Sequence, residues 1–305
     1  MKKKRNFLLG TTYAFINMIS LGMLGIVDKI GATHTVNPFV FSTQSVFFSL
    51  LFLCVFAFLY KKQEFVQEIK NIPLPAWKLL FLVGIFASGF FILFRFLGLT
   101  QATGTFATLS QVIITALTAV LAAVFLKEKL PRIFWLFFSI IIVAMYFVSI
   151  GKFALATLEQ GDRYIVIGAV FVAFANIFSQ KALKYVSPVI LTMGRFFFGA
   201  LLLLVISLFV FHFTPVLLTF SIWSLASGLL WTVNATAFSF SIQKLGVTLA
   251  ASILMIAPVV TMVLEYTILK QSFNLLQITA ALVVVICGIL MVVTKEKALF
   301  SPSNT

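Results

Sequence analysis

Long apolar runs alternate with short polar breaks along the whole chain. The runs cover residues 7–27, 39–60, 77–98, 105–126, 132–150, 164–183, 189–211, 219–241, 247–269 and 274–294. About 20 apolar residues in a helix cross a hydrocarbon layer of about 30 Å, so each run predicts a transmembrane helix. The breaks carry residues that end helices: Asn37-Pro38, Pro73-Leu74-Pro75, Gly104, Pro131, Gly161-Asp162, Ser187-Pro188, Pro215 and Gly246. The predicted fold class is an all-α integral membrane protein with ten transmembrane helices. Met1-Lys2-Lys3-Lys4-Arg5 has the basic character of a signal-peptide start. The run behind it is too long for a signal peptide, so it is expected to stay as the first helix.

Composition agrees. Apolar residues make up 62% of the 305 residues and charged residues only 10%, against about 25% charged in a soluble domain. The net charge of +14 would suggest nucleic acid in a soluble protein. Here the basic residues cluster between apolar runs, as topology signals do, so no nucleic-acid partner is expected. With the N-terminus inside, 16 of the 22 Lys and Arg fall on the cytoplasmic side. Lys29, Lys152, Arg163 and Lys270 fall outside, and Arg95 and Arg195 lie within runs. That bias predicts both termini in the cytoplasm of a cell (inner) membrane protein. Cys54 and Cys287 both sit in apolar runs, which leaves no disulfide framework or metal motif.

The two halves repeat each other. Ala14-Phe15-Ile16-Asn17-Met18-Ile19-Ser20 in the first run and Ala173-Phe174-Ala175-Asn176-Ile177-Phe178-Ser179 in the sixth share the pattern A-F-x-N-x-x-S. Asn37-Pro38 corresponds to Ser187-Pro188, and Gln101 to Gly104 corresponds to Gln243 to Gly246, in the same order. The expected repeats are 1–151 and 160–298, together one membrane domain. Five spans per repeat is an odd number, so the second repeat is expected to enter the membrane from the opposite side. Inverted repeats of this kind build transporters with a midplane site and alternating access.

At this level the chain resembles the EamA-type members of the drug/metabolite transporter superfamily, over nearly its whole length. Leu126-Lys127-Glu128-Lys129-Leu130 looks like the family's Gly-Glu-Arg-Leu-type ending of the fourth span. Ser187-Pro188 followed by Gly194-Arg195-Phe196, and Ala257-Pro258 within the ninth run, also match. The chain departs at Gln44-Ser45, at Ala116 and at Lys270, where a second Glu is usual. The resemblance implies a secondary transporter of small organic solutes, often an exporter.

Polar side chains in apolar spans need an internal partner or a wet cavity. Tyr13, Asn17 and Ser20 share one face of the first span, and Ser88, Phe91 and Arg95 one face of the third. Thr108, Gln111, Thr115 and Thr118 line the fourth, Asn176 and Ser179 the sixth, and Ser227, Trp231, Asn234, Phe238 and Ser241 the eighth. At about 1.5 Å per residue, Asn17, Thr115 and Asn176 lie ~15–18 Å into their spans, near the midplane. Tyr13, Asn17, Ser20, Ser88, Phe91, Arg95, Gln111, Thr115, Asn176, Trp231, Asn234 and Phe238 are the candidate substrate-binding residues. For a single Ser or Thr, hydrogen-bonded glue between helices is the favoured role. For Trp231, Asn234 and Phe238 a cavity wall is favoured. Arg195 is expected to snorkel to the cytoplasmic interface. Arg95 and Glu265 share a depth near the outer surface, as a gating charge pair, with Arg95 on a substrate carboxylate, or as two independent interfacial residues. Pro258 is the expected helix kink.

No metalloprotease, serine-hydrolase, Walker or dinucleotide motif occurs, and the two histidines, His34 and His212, fall in outer loops. No enzyme activity, metal or cofactor is expected. Glu265 is the one acidic residue placed within a run, near its edge, so exchange or facilitated diffusion is favoured over proton coupling. The expected partners are a small-molecule substrate and the bilayer, and a homodimer is compatible with the sequence. A lipid or lipid-precursor translocase is the alternative, ahead of a channel, a membrane enzyme or a structural protein.

Overall fold

The computed structural model describes residues 2–34, 37–102, 104–128, 132–150, 160–210 and 221–300. Pro131, Lys152, His212, Pro215 and the Lys129-Leu130 part of the fourth-span ending lie outside them. All described regular elements are helical. They are α1 (Lys2–His34), α2 (Pro38–Lys70), α3 (Leu74–Val83), a π-helical turn (Gly84–Phe90), α4 (Phe91–Leu99), α5 (Gly104–Phe125) and α6 (Arg132–Ile150). The second half holds α7 (Gln160–Ala182), α8 (Pro188–Val210), α9 (Ile222–Leu245), α10 (Val247–Leu254), α11 (Ala257–Ile268) and α12 (Leu275–Phe300). Among the described residues seven helical stretches are long and apolar enough to cross a membrane: Arg5–His34, Pro38–Leu59, Leu74–Leu99, Gln160–Ala182, Pro188–Ser207, Ile222–Leu245 and Val247–Ile268. Ser110–Phe125, Arg132–Ala144 and Leu275–Leu290 are shorter apolar helices.

The helix ends follow local chemistry. Asn37 starts α2, its side-chain oxygen accepting from Phe39 N at 2.8 Å while Pro38 occupies the first turn, where its missing N–H costs nothing. Ser221 starts α9 in the same way, accepting from Trp223 N. The α2 helix continues past its apolar run, and Glu68 near its end accepts from Ser187 N at 2.6 Å, which ties it to the start of α8.

Three spans differ from their sequence outline. The first does not stop at Val27, because α1 continues to His34 with Asp28 and Lys29 satisfied inside the bundle. The third is interrupted by the π-helical turn. The ninth is broken at Met255–Ile256, and Pro258 falls in the first turn of α11. Proline has no N–H, so it cannot donate to the carbonyl of Leu254 one turn back.

Packing pairs the two halves element for element. The α1 helix lies against α9, and α7 lies in the same way against α3 and α4. The α2–α9 contact matches that of α8 with the π-helical turn, and α1–α11 matches α7–α5. The contacts α2–α8, α5–α10 with α5–α11, and α6–α12 each match themselves when the halves are exchanged. The ends of α5 and α11 match as well. Lys127 (φ 54°) and Lys270 (φ 56°) hold the left-handed conformation. The following amide reaches back to the carbonyl six residues earlier in each case, Glu128 to Ala122 and Gln271 to Glu265. This register sets Gln271, rather than Lys270, opposite Glu128.

Burial is inverted relative to a soluble protein. Asn17, Asp28, Ser42, Ser45, Ser49, Thr115 and Thr118 are fully buried, while Leu59, Phe209 and Leu275 stand mostly exposed. Polar groups satisfy one another inside and apolar groups face outward, the arrangement that suits a lipid solvent.

Candidate functional site

A cavity of about 30 Å³ lies between the two halves. Phe91, Gln111 and Arg195 line it together with Asn176, Asn234 and Trp231. Phe238 and the aliphatic Leu21, Ile114, Val172 and Leu254 complete the wall. The wall draws on α1, α4 and α5 of the first half and on α7, α8, α9 and α10 of the second. Six of these residues, Phe91, Gln111, Asn176, Trp231, Asn234 and Phe238, belong to the set picked out by polar and aromatic stripes. The space holds a water or so.

The wall is braced from behind. Asn234 donates a short hydrogen bond to the side-chain oxygen of Asn17, and Ser20 donates to the Asn17 carbonyl at 2.8 Å. Asn176 donates to Thr118 at 3.1 Å, which joins α7 to α5. Thr115 donates to Gln111 O at 2.7 Å and to Ala251 O at 3.0 Å, which joins α5 to α10. Tyr13 lies elsewhere, stacked on Phe240 with ring centroids 5.0 Å apart.

Arg195 corrects its sequence assignment. It does not reach for an interface, because its side chain is buried in the bundle and lines the cavity. Its Nε donates to Ser88 Oγ at 3.1 Å, and Nη2 is 3.5 Å from Ala87 O, both in the π-helical turn. Glycines allow that approach. A Cβ on Gly199 of α8 would meet Ser88 Cβ at 2.5 Å, and one on Gly84 would meet Phe198 Cβ at 2.5 Å.

Next to the cavity lies a buried charge cluster. Arg95 Nε donates to Asp28 Oδ2 at 3.1 Å and Nη1 to Ala107 O at 3.0 Å. Ser227 donates to Asp28 Oδ1 at 2.6 Å and shares a 2.7 Å hydrogen bond with Ser45. The Arg95 guanidinium carbon sits 5.7 Å from the ring centre of Trp231, so the cluster backs directly onto the cavity wall. Lys29 Nζ donates to the carbonyls of Leu99 at 2.8 Å and Ala102 at 2.7 Å, at the C-terminal end of α4. That end is the negative pole of the helix dipole. Glu265 of α11 is buried and acts electrostatically on Lys29.

The expectation that joined Arg95 to Glu265 is therefore revised. The carboxylate hydrogen-bonded to Arg95 is Asp28, and Glu265 acts on the neighbouring Lys29. Glu265 is also not the one acidic residue within a span, since Asp28 lies inside α1. A hydropathy outline ends the first span at Val27 because Asp28-Lys29 looks like a loop start. The partners that keep this dipeptide inside the helix lie about 70 residues or more away in sequence.

At the other end of α5 a second polar cluster closes the bundle. Glu128 Oε1 accepts from Gln180 Nε2 at 3.0 Å, and Oε2 accepts from Thr248 Oγ1 at 2.6 Å. Gln180 Oε1 accepts from Val247 N at 2.5 Å, the first amide of α10. Ala107 stands near the start of α5 and Glu128 three residues past its end at Phe125, with about 27 Å of helix between Ala107 and Phe125. The charge cluster and this latch thus stand at opposite ends, with the cavity between them.

The sequence matches the EamA-like transporter family over residues 8–150 and again over residues 160–294. The chain belongs to the EamA-like transporter family. Membership, with the apolar helices, makes it a multi-pass membrane protein that transports small solutes. Twenty-eight chains of solved structures match this EamA-like fold. One is a crystal structure described only as that of a protein, aligned over 96% of this chain and 99% of that chain with a TM-score of 0.68 and 16% identity. At that identity the likeness concerns the fold alone. The comparison with curated proteins found no match.

Proposed function

We propose that this EamA-like protein is a secondary transporter of ten spans. It moves a small organic metabolite across the cytoplasmic membrane by alternating access, as exchange or facilitated diffusion. The observation that carries the reading is the cavity that both halves line, with a separate polar cluster toward each end. Matched packing and matched caps support two repeats, and five spans per repeat set the second against the first in the membrane. The sequence outline puts 16 Lys and Arg on the cytoplasmic side against four outside, one of which, Lys29, lies within α1, and this bias supports both termini inside. Phe91, Gln111, Asn176, Arg195, Trp231, Asn234 and Phe238 form the substrate wall, with Asn17, Ser20, Ser88 and Thr115 bracing it. Asp28 is held by Arg95 and Ser227 beside this wall. A lipid translocase, the other reading, needs a lateral opening into the cavity.

The test is counterflow in liposomes with a labelled panel of amino acids, nucleosides and their conjugates. The expected result is saturable counterflow of at least one solute. Asn234→Ala should raise the half-saturating concentration about tenfold, the size of a polar contact left unmade. Absence of saturable counterflow across the panel would count against the transporter reading.

A further inference from the structure

The cavity wall carries one ionisable side chain, Arg195, and no acidic one. A buried guanidinium normally meets a carboxylate, because desolvation leaves an uncompensated charge very costly. Arg95 follows that rule through Asp28. Arg195 does not: no described residue forms an ion pair with it, and its described oxygen partners are the neutral Ser88 and Ala87. Guanidinium has five N–H donors in a planar fork, so these two partners leave donors over. The rest of the wall is aromatic at Phe91, Trp231 and Phe238, and amide at Gln111, Asn176 and Asn234.

We infer that the transported solute is a small carboxylate with an apolar or aromatic body, its carboxylate bound by Arg195. The inference rests on the transporter reading above and names the substrate class of the same cavity. The fork matches a carboxylate in two parallel hydrogen bonds. A single uncompensated positive charge balances a monoanion. A phosphate monoester brings up to a second negative charge, for which the wall supplies no second cation, since the charge of Arg95 is taken by Asp28. An amine brings a positive charge beside Arg195 and is repelled. The aromatic rings accept the body of the solute, and the amides accept or donate one further polar group. Closure on the solute also supplies the missing counter-charge of Arg195, so the loaded carrier loses less by closing than the empty one. That is the requirement for exchange.

A matched series isolates the charge. The purified full-length protein is titrated with 3-phenylpropanoate, its amide, 3-phenylpropyl phosphate and 3-phenylpropylamine, and binding is read by tryptophan fluorescence and by thermal shift. The carboxylate is expected to bind about ten- to a hundredfold more tightly than the amide, the value of a charged hydrogen bond over a neutral one, and more tightly than the phosphate and the amine. Arg195→Gln should abolish that preference, and Arg195→Lys should keep part of it. Equal or better binding of the amide, phosphate or amine overturns the inference. So does a carboxylate preference that survives Arg195→Gln, or no binding of the carboxylate. The wild-type series stands even if an Arg195 variant fails to fold. Counterflow separates the two levels. Saturable counterflow restricted to neutral or cationic solutes keeps the transporter and rejects the anion, whereas no counterflow of any solute rejects the transporter itself.

Discussion

Arg95, at 1% exposure, donates through Nε to Asp28 and through Nη1 to the Ala107 carbonyl. Asp28, at 0% exposure, is satisfied in turn by Arg95 and Ser227. Such a pair is asymmetric in its energetics. Removing one partner leaves a buried charge and costs about 3–5 kcal/mol, whereas replacing both with apolar groups of similar size is often neutral. Arg95→Met is therefore expected to lower the thermal midpoint in detergent sharply, and Arg95→Met combined with Asp28→Leu to recover most of the loss. Unfolding followed by intrinsic fluorescence checks it, and a double variant no more stable than the single would reject the pair as the cause. The same residues show what a sequence yields at this scale. Polar and aromatic stripes select six wall residues, because a helix period places them on one face. Asp28 is missed and Arg195 misassigned, because each is held inside by a partner on another helix, which hydropathy along one run does not register.

Between residues and bundle stand two interrupted spans. The break at Met255–Ile256 was legible in part, since Pro258 removes a backbone donor wherever it stands. The π-helical turn at Gly84–Phe90 was not, because no proline marks it. Its cause is tertiary. The turn presses against α8 through Gly84 and Gly199, and the extra residue of a π turn brings Ser88 under Arg195. Such turns often occur at functional sites. A methyl at Gly199 would sit 2.5 Å from Ser88 Cβ and 2.8 Å from the Ser88 carbonyl carbon. Backbone must then shift. Gly199→Ala is expected to cost about 1–3 kcal/mol, the range for overpacking, and to weaken the Ser88–Arg195 hydrogen bond. Thermal midpoint and counterflow should both fall. A variant with unchanged midpoint and rate would show that the close approach is not required.

For the whole molecule, the alternating access proposed above requires the polar ties at the two ends of the cavity to release one at a time. Glu128, Gln180 and Thr248 tie α5, α7 and α10 at one end, and Asp28, Arg95 and Ser227 tie α1, α4 and α9 at the other. The two ties differ in chemistry. The latch pairs one carboxylate with neutral donors, while the charge cluster pairs opposite charges at full burial. Locking the latch end is expected to stop transport without unfolding the protein. With Cys54→Ser and Cys287→Ser as background, Gln180→Cys and Thr248→Cys joined by a short cleavable crosslinker should abolish counterflow. Cleavage of the linker should restore it, and the thermal midpoint should rise while the linker is intact. Counterflow that continues at the uncrosslinked rate with the linker closed would mean that α7 and α10 do not separate during the cycle, and the opening would then have to be sought elsewhere in the bundle.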